Sequence, residues 1–130
     1  MRLPSSRPYP DEDEGTSSIA ANIAKIQDSG PHHYGLKGKG STLTRSTSDK
    51  NEKDNRNKAC PKSRKRPPGK SCDEYPFART NQGAARVARK DWGWAWVPER
   101  EQHQQGGFLS RFYKENRVLD GDRFWVDVRN

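Results

Sequence analysis

The sequence predicts a small α+β domain in the C-terminal part of the chain, preceded by a largely disordered N-terminal region. Three observations carry that prediction. Hydrophobic residues make up 28% of the 130 positions and charged residues 32%, with a mean hydropathy of −1.30. A single core cannot run the whole length of such a chain without exhausting its apolar residues. Nearly all the aromatic residues follow position 74, and these side chains bring the largest burial each. Within about fifty residues the apolar pattern then passes from alternation to helical spacing and back, which reads as strand, helix and strand. The expected division is a linker-like region over 1–54 and a folded unit over 55–130.

The elements follow in order. Asp11 to Glu14 is an acidic run of the kind usually solvated. Ile19, Ile23 and Ile26 share one face of a short helix. At about ten residues that helix is marginal in water, so it either docks or does not form. Gly35–Gly40 and Ser46–Asn51 have linker composition. Trp92, Trp94 and Trp96 alternate along a strand that Pro98 ends, and they are expected to pack a core rather than form a base-stacking strip. From Glu99 to about Tyr113 the spacing turns helical, with Phe108, Leu109, Phe112 and Tyr113 on one face. Gly106 and Gly107 weaken this helix by roughly 1 kcal/mol each relative to alanine, a cost explained if the backbone lies close to a ligand or a strand. Asp120-Gly121 marks a turn and Phe124–Val128 a final strand.

The formal charge is +8, almost all of it after residue 50. An anionic partner follows, with nucleic acid ahead of a membrane surface or an acidic protein. The longest apolar runs are far too short to span a membrane, and Met1 to Pro8 lack the apolar stretch of a secretory signal. Neither a heptad nor a glycine triplet repeats, which excludes a coiled coil and collagen.

Cys60 and Cys72 are the only cysteines, too few ligands for a zinc site of their own. One reading is a disulfide enclosing Pro61–Ser71, a segment that holds Lys62, Arg64, Lys65, Arg66 and Lys70. The bond would stabilise the fold by roughly 3 kcal/mol and imply an oxidising compartment. The other reading is two free thiols in a cytosolic protein. The bridge is preferred because a domain of about 75 residues has a small core to rely on.

Phosphodiester hydrolysis requires a cation on the phosphate, a base for the attacking water and positive side chains to hold the polyanion. Hard oxygen donors gather at Asp73-Glu74 and again at Glu99, Glu101, Gln102, Gln104 and Gln105. Glu101 and Gln105 are four apart, hence on one helix face. The plainer reading of that second group is acidic residues favouring a helix N-terminus. His32-His33 has no spaced partner ligands, and His103 reads as an exposed polar residue.

Asn55-Arg56-Asn57-Lys58-Ala59-Cys60 and Ser71-Cys72-Asp73-Glu74-Tyr75-Pro76-Phe77-Ala78-Arg79-Thr80 resemble the NucA/NucB deoxyribonuclease family. So do Val97-Pro98-Glu99-Arg100-Glu101-Gln102-His103-Gln104-Gln105-Gly106 and Asp120-Gly121-Asp122-Arg123-Phe124-Trp125-Val126. The resemblance covers about residues 55–130. It implies a metal-dependent, non-specific DNA endonuclease of the ββα-metal type, with Mg²⁺ or Mn²⁺ as cofactor and DNA as partner. Carried over residue by residue, Asp73 would orient or deprotonate water, the part histidine plays in many ββα nucleases. Glu74 beside it would bind or support the metal, Glu101 would match the acid that opens the helix, and Gln105 the Gln of a Gln-Gly pair. Catalytic expectations thus fall on Asp73, Glu74 and Glu101, and metal ligation on Glu74, Glu101 and Gln105. DNA phosphates would meet Lys62, Arg64, Lys65, Arg66 and Arg79.

Two departures stand out. Gln82-Gly83-Ala84 replaces a usual glycine pair, and Gln102 stands where Asn is usual. They motivate a competing reading, a basic nucleic-acid-binding module without catalysis. A third is the terminal nuclease segment of a larger exported protein, with a cognate inhibitor as a further partner. The bridge and the family together point to a secreted or extracellular protein.

Overall fold

The computed structural model describes residues 2–4 and 17–129, so the acidic run Asp11–Glu14 lies outside the described residues. In chain order the elements are β1 (Arg2–Pro4), α1 (Ser17–Ser29), β2 (Leu43–Thr44), α2 (Asp49–Ala59), β3 (Lys70–Tyr75), β4 (Gly93–Pro98), α3 (Glu99–Glu115), β5 (Arg123–Phe124) and β6 (Asp127–Arg129). A 3₁₀ turn over Arg89–Asp91 precedes β4. The α+β prediction holds.

The centre is an antiparallel hairpin followed at once by a helix. β3 and β4 pair from Lys70 opposite Pro98 to Tyr75 opposite Gly93, and α3 begins at Glu99, directly after β4. Proline suits that junction because the first helical turn leaves its N–H groups unpaired in any case. Two shorter, separate ladders complete the strands, β2 antiparallel to β5 and β1 parallel to β6. The expected final strand is therefore two. Between them Val126 donates its N–H to the Gly35 carbonyl at 2.9 Å, which breaks the run.

Residues 17–54 are not the linker that composition suggested, and the expected boundary at 55 falls inside α2. The isoleucine stripe of α1 is buried with Leu43, Tyr75, Val97, Tyr113 and Val126. Each fully buried isoleucine contributes roughly 1.5–3 kcal/mol, which turns a marginal helix into a fixed one. Gln27 of α1 donates to the Tyr75 hydroxyl at 3.0 Å, and that hydroxyl donates to the Tyr34 carbonyl at 2.8 Å. Gly35, at φ 83°, passes directly over it.

The second helix is held differently. Ser48 caps α2 by accepting from the Asn51 N–H, with Asp49 and Glu52 in the first turn and Arg56 and Lys58 in the last, as the helix dipole favours. Its inward face is Asn51, Asn55 and Ala59, an amide stripe rather than an apolar one. Asn51 donates to the Thr80 carbonyl at 2.9 Å and Asn55 to that of Ala78 at 2.8 Å. A second apolar cluster, Ala59, Ala84 and Trp92, packs beneath, with Trp94 against it. Trp92 is thus in a core as expected, while Trp94 and Trp96 are half-buried and meet edge to face.

The disulfide is formed between Cys60 and Cys72, with a Cα–Cα distance of 5.9 Å. It ties the end of α2 to β3. At Gly106 and Gly107 an added Cβ would meet nothing within 4 Å, so no contact among the described residues explains them. Among the described residues no helix is long and apolar enough to cross a membrane.

Candidate active site

A cleft of about 1120 Å³ opens between α2, β3 and α3. Asp73, Glu74, Gln102 and Gln105 line it together with Arg56 and Arg79. The sequence reading assigned Asp73, Glu74, Gln105 and Arg79 to a site, and the fold brings these together.

Asp73 is almost fully enclosed, at 1% exposure. Its Oδ2 accepts from Asn22 Nδ2 at 3.0 Å, and its Oδ1 accepts a longer bond from Gln105 Nε2 at 3.4 Å. Burial raises its pKa to about 7; the Asn22 hydrogen bond opposes that rise and the charge of Glu101 adds to it. Glu74 is also pushed up to about 7, first by burial, with Arg56 opposing and Asp73 and Glu52 reinforcing. Two adjacent carboxyl groups therefore sit near neutrality, a usual condition for acid–base work at physiological pH.

Glu101 is placed differently from its neighbours in the sequence. It is fully buried and is not on the cleft wall. Its Oε1 accepts from the Ile19 N–H at the start of α1, at 3.1 Å, where a carboxylate complements the helix dipole. Burial raises its pKa, and hydrogen bonds from Ile19 and Ser18 counter the rise.

Among the described residues four buried side-chain oxygens have no hydrogen-bond partner: Glu74 Oε2, Gln102 Oε1, Glu101 Oε2 and the Tyr113 hydroxyl. Leaving such an atom unpaired costs about 1–3 kcal/mol, and an ion or ordered water is a common reason. Gln102 is anchored by donating to the Cys72 carbonyl at 2.9 Å, so its longer side chain is accommodated. Among the described residues no three acidic, histidine or cysteine side chains converge as a complete metal cage. The carboxylate and amide oxygens that line the cleft are nevertheless a donor set of the kind that suits Mg²⁺ or Mn²⁺, which take one or two carboxylates and complete their shell with water and phosphate.

Of the five cations that line the cleft, Lys53 and Arg56 come from α2 and the other three from loops. Arg56 and Arg79 share Glu52, at 3.1 and 2.9 Å, which holds both guanidinium groups in place. Lys53, Lys62 and Arg45 also line the cleft. The basic loop contributes less than its charge suggested. Arg64 lies over the Trp94 ring at 3.7 Å and donates to the Ala59 carbonyl. Arg66 pairs with Glu99 at 3.4 Å, and Lys65 is exposed.

Sequence reasoning missed Arg45, Lys53 and Arg56 as cleft residues, and Asn22 altogether. The i, i+3 spacing of Lys53 and Arg56 was a usable signal. So was Asn22, which shares the Ile19–Ile23–Ile26 face, where a polar residue is the informative exception. No pattern marked Arg45. The glycine departure is benign. An added Cβ at Gly83 would fall 2.2 Å from Asn55 Nδ2, so glycine is needed there, whereas the Ala84 methyl fills the second cluster.

No curated protein matches the chain. The family described as Deoxyribonuclease NucA/NucB matches residues 33–127, most of the sequence and all of the cleft. The chain belongs to the NucA/NucB deoxyribonuclease family.

Proposed function

We propose that this protein is a DNA endonuclease without sequence preference that hydrolyses phosphodiester bonds with Mg²⁺ or Mn²⁺. The observation that carries the reading is one cleft lined both by two carboxyl groups whose pKa values are raised to about 7 and by the two arginines that share Glu52. Glu74, with the amide oxygens of Gln102 and Gln105, would hold the cation. When bound, it would neutralise charge on the scissile phosphate. Asp73 orients the attacking water and takes its proton, for which a pKa of about 7 is suited. Arg56, Arg79 and Lys62 draw the backbone into the cleft. Glu101 is given a supporting part, adding negative charge beside Asp73 and anchoring α1. The Cys60–Cys72 bond supports work outside reducing compartments.

The test is plasmid nicking with purified, oxidised protein, with and without a chelator. Activity should need the divalent ion, and Asp73→Asn should lower it by at least about 100-fold, as loss of a general base does. Intact plasmid across divalent ions, or an Asp73→Asn variant that cuts like the parent, would overturn the reading. A binding module without catalysis is the second reading, favoured by the engagement of Glu101 Oε1 with Ile19. Salt-sensitive binding with no nicking would select it.

A further inference from the structure

We infer that Asn22 is a positioning residue for Asp73, so that α1, which lies before the matched residues 33–127, completes the catalytic site. The inference rests on the role proposed for Asp73. Asn22 approaches that carboxylate from behind. It lies on α1, is itself buried at 8% exposure, and is not on the cleft wall.

Its one amide nitrogen reaches two acceptors on the same residue, Asp73 Oδ2 at 3.0 Å and the Asp73 backbone carbonyl at 3.3 Å. A donor that spans a side chain and its own main chain fixes the torsion between them. The Oδ2 lone pair that would otherwise compete for water is engaged, and Oδ1 is left toward Gln105 and the cleft. The helix that carries Asn22 is itself fixed at three further points. Ile19 N–H is bonded to Glu101, Gln27 to Tyr75, and the isoleucine stripe is in the core. An amide held this firmly loses little entropy in making its bonds. A polar side chain on an otherwise apolar stripe is costly unless its hydrogen bonds matter. Placing a reacting group accurately is worth up to about 100-fold in rate for a displacement of about 1 Å.

The experiment measures kcat and KM for duplex DNA with the full chain, for the parent, Asn22→Ala, Asn22→Asp, Asp73→Asn and the packing control Ile23→Val, with a thermal melt of each. Asn22→Ala should lower kcat by roughly 10- to 100-fold with KM for DNA unchanged. Ile23→Val should leave kcat at the parent value although it lowers the melting temperature. Asn22→Asp keeps the size of the side chain, puts an acceptor where the donor was, and should lose at least as much kcat. It carries the test if the alanine variant does not fold. Asn22 variants that match or exceed the parent kcat while Asp73→Asn is impaired overturn this inference alone. So does a kcat loss that Ile23→Val reproduces in proportion to its melting temperature. A parent that does not cut, or an Asp73→Asn variant that cuts normally, overturns the proposed function and this inference with it.

Discussion

Residues 17–59 and 70–115 meet at one cleft but are attached to it by different chemistry. The two strands of the hairpin are joined by a regular β-ladder, and α3 shares with them the apolar cluster that holds Tyr75, Phe77 and Tyr113. Many of the directional contacts that 17–59 makes with them come from buried amides. Asn22, Gln27, Asn51 and Asn55 each donate across long sequence separations, to Asp73, Tyr75, Thr80 and Ala78. Apolar packing tolerates small shifts, whereas a buried amide is satisfied only at defined positions and costs about 1–3 kcal/mol when its partner is lost. The acids thus sit on a scaffold held by bulk and are oriented by one held through specific bonds.

The largest test asks whether 17–59 belongs to the core at all. Ile23→Ala should cost about 2–5 kcal/mol, the usual range for emptying a fully buried aliphatic site, read as a lower denaturant midpoint. An unchanged midpoint would detach α1 from the fold. Next comes the covalent link between the regions. The Cys60→Ser, Cys72→Ser double variant should lose roughly 3 kcal/mol, as expected for a loop of this length, measured by the same unfolding curves. A loss well below 1 kcal/mol would mean that the amide contacts of Asn51 and Asn55 with Thr80 and Ala78 suffice to hold α2 in place.

The third test separates the acids from their surroundings. The folded-state pKa values of Asp73 and Glu74 are raised to about 7 from 3.8 and 4.5. The folded chain therefore binds these protons more tightly than the unfolded one. Their contribution to stability is complete below about pH 4 and is lost as pH rises through about 7. Chelator-treated protein should show a melting temperature that falls between pH 5 and 8, with a shallower fall in Asp73→Asn. Identical slopes would show that burial does not govern Asp73. The smallest effect concerns the cations. Arg56→Ala should reduce the slope of log affinity against log salt for DNA by about 1, and Lys65→Ala should change it less. Equal changes would place the basic loop on the DNA as well.

The legible parts of the sequence were those governed by period and bulk. Alternation around Trp94 and Val97 marked β4, helical spacing from Glu99 marked α3, and the Asp73-Glu74 step beside the cysteines marked the centre of the cleft. The rest was hidden for a physical reason. α2 carries Asn51 and Asn55 where a pattern search expects leucine, so its inward face resembles a solvated one. The separation of Glu101 from the cleft wall depends on where Ile19 N–H lies, a contact across 82 positions that no local spacing encodes. Arg64 and Arg66 drew attention by charge alone, yet Trp94 and Glu99 already occupy them.

Gly35 is where two independent constraints coincide. Its backbone, at φ 83°, is one that L-residues with a Cβ adopt at a cost, and such an atom would lie 2.2 Å from the Tyr75 hydroxyl. Relaxing the turn would not relieve the collision, and shortening the tyrosine would not relieve the turn. Any substitution there wedges against the residue directly after Glu74, so an error at this buried glycine is delivered to the strand that bears both acids.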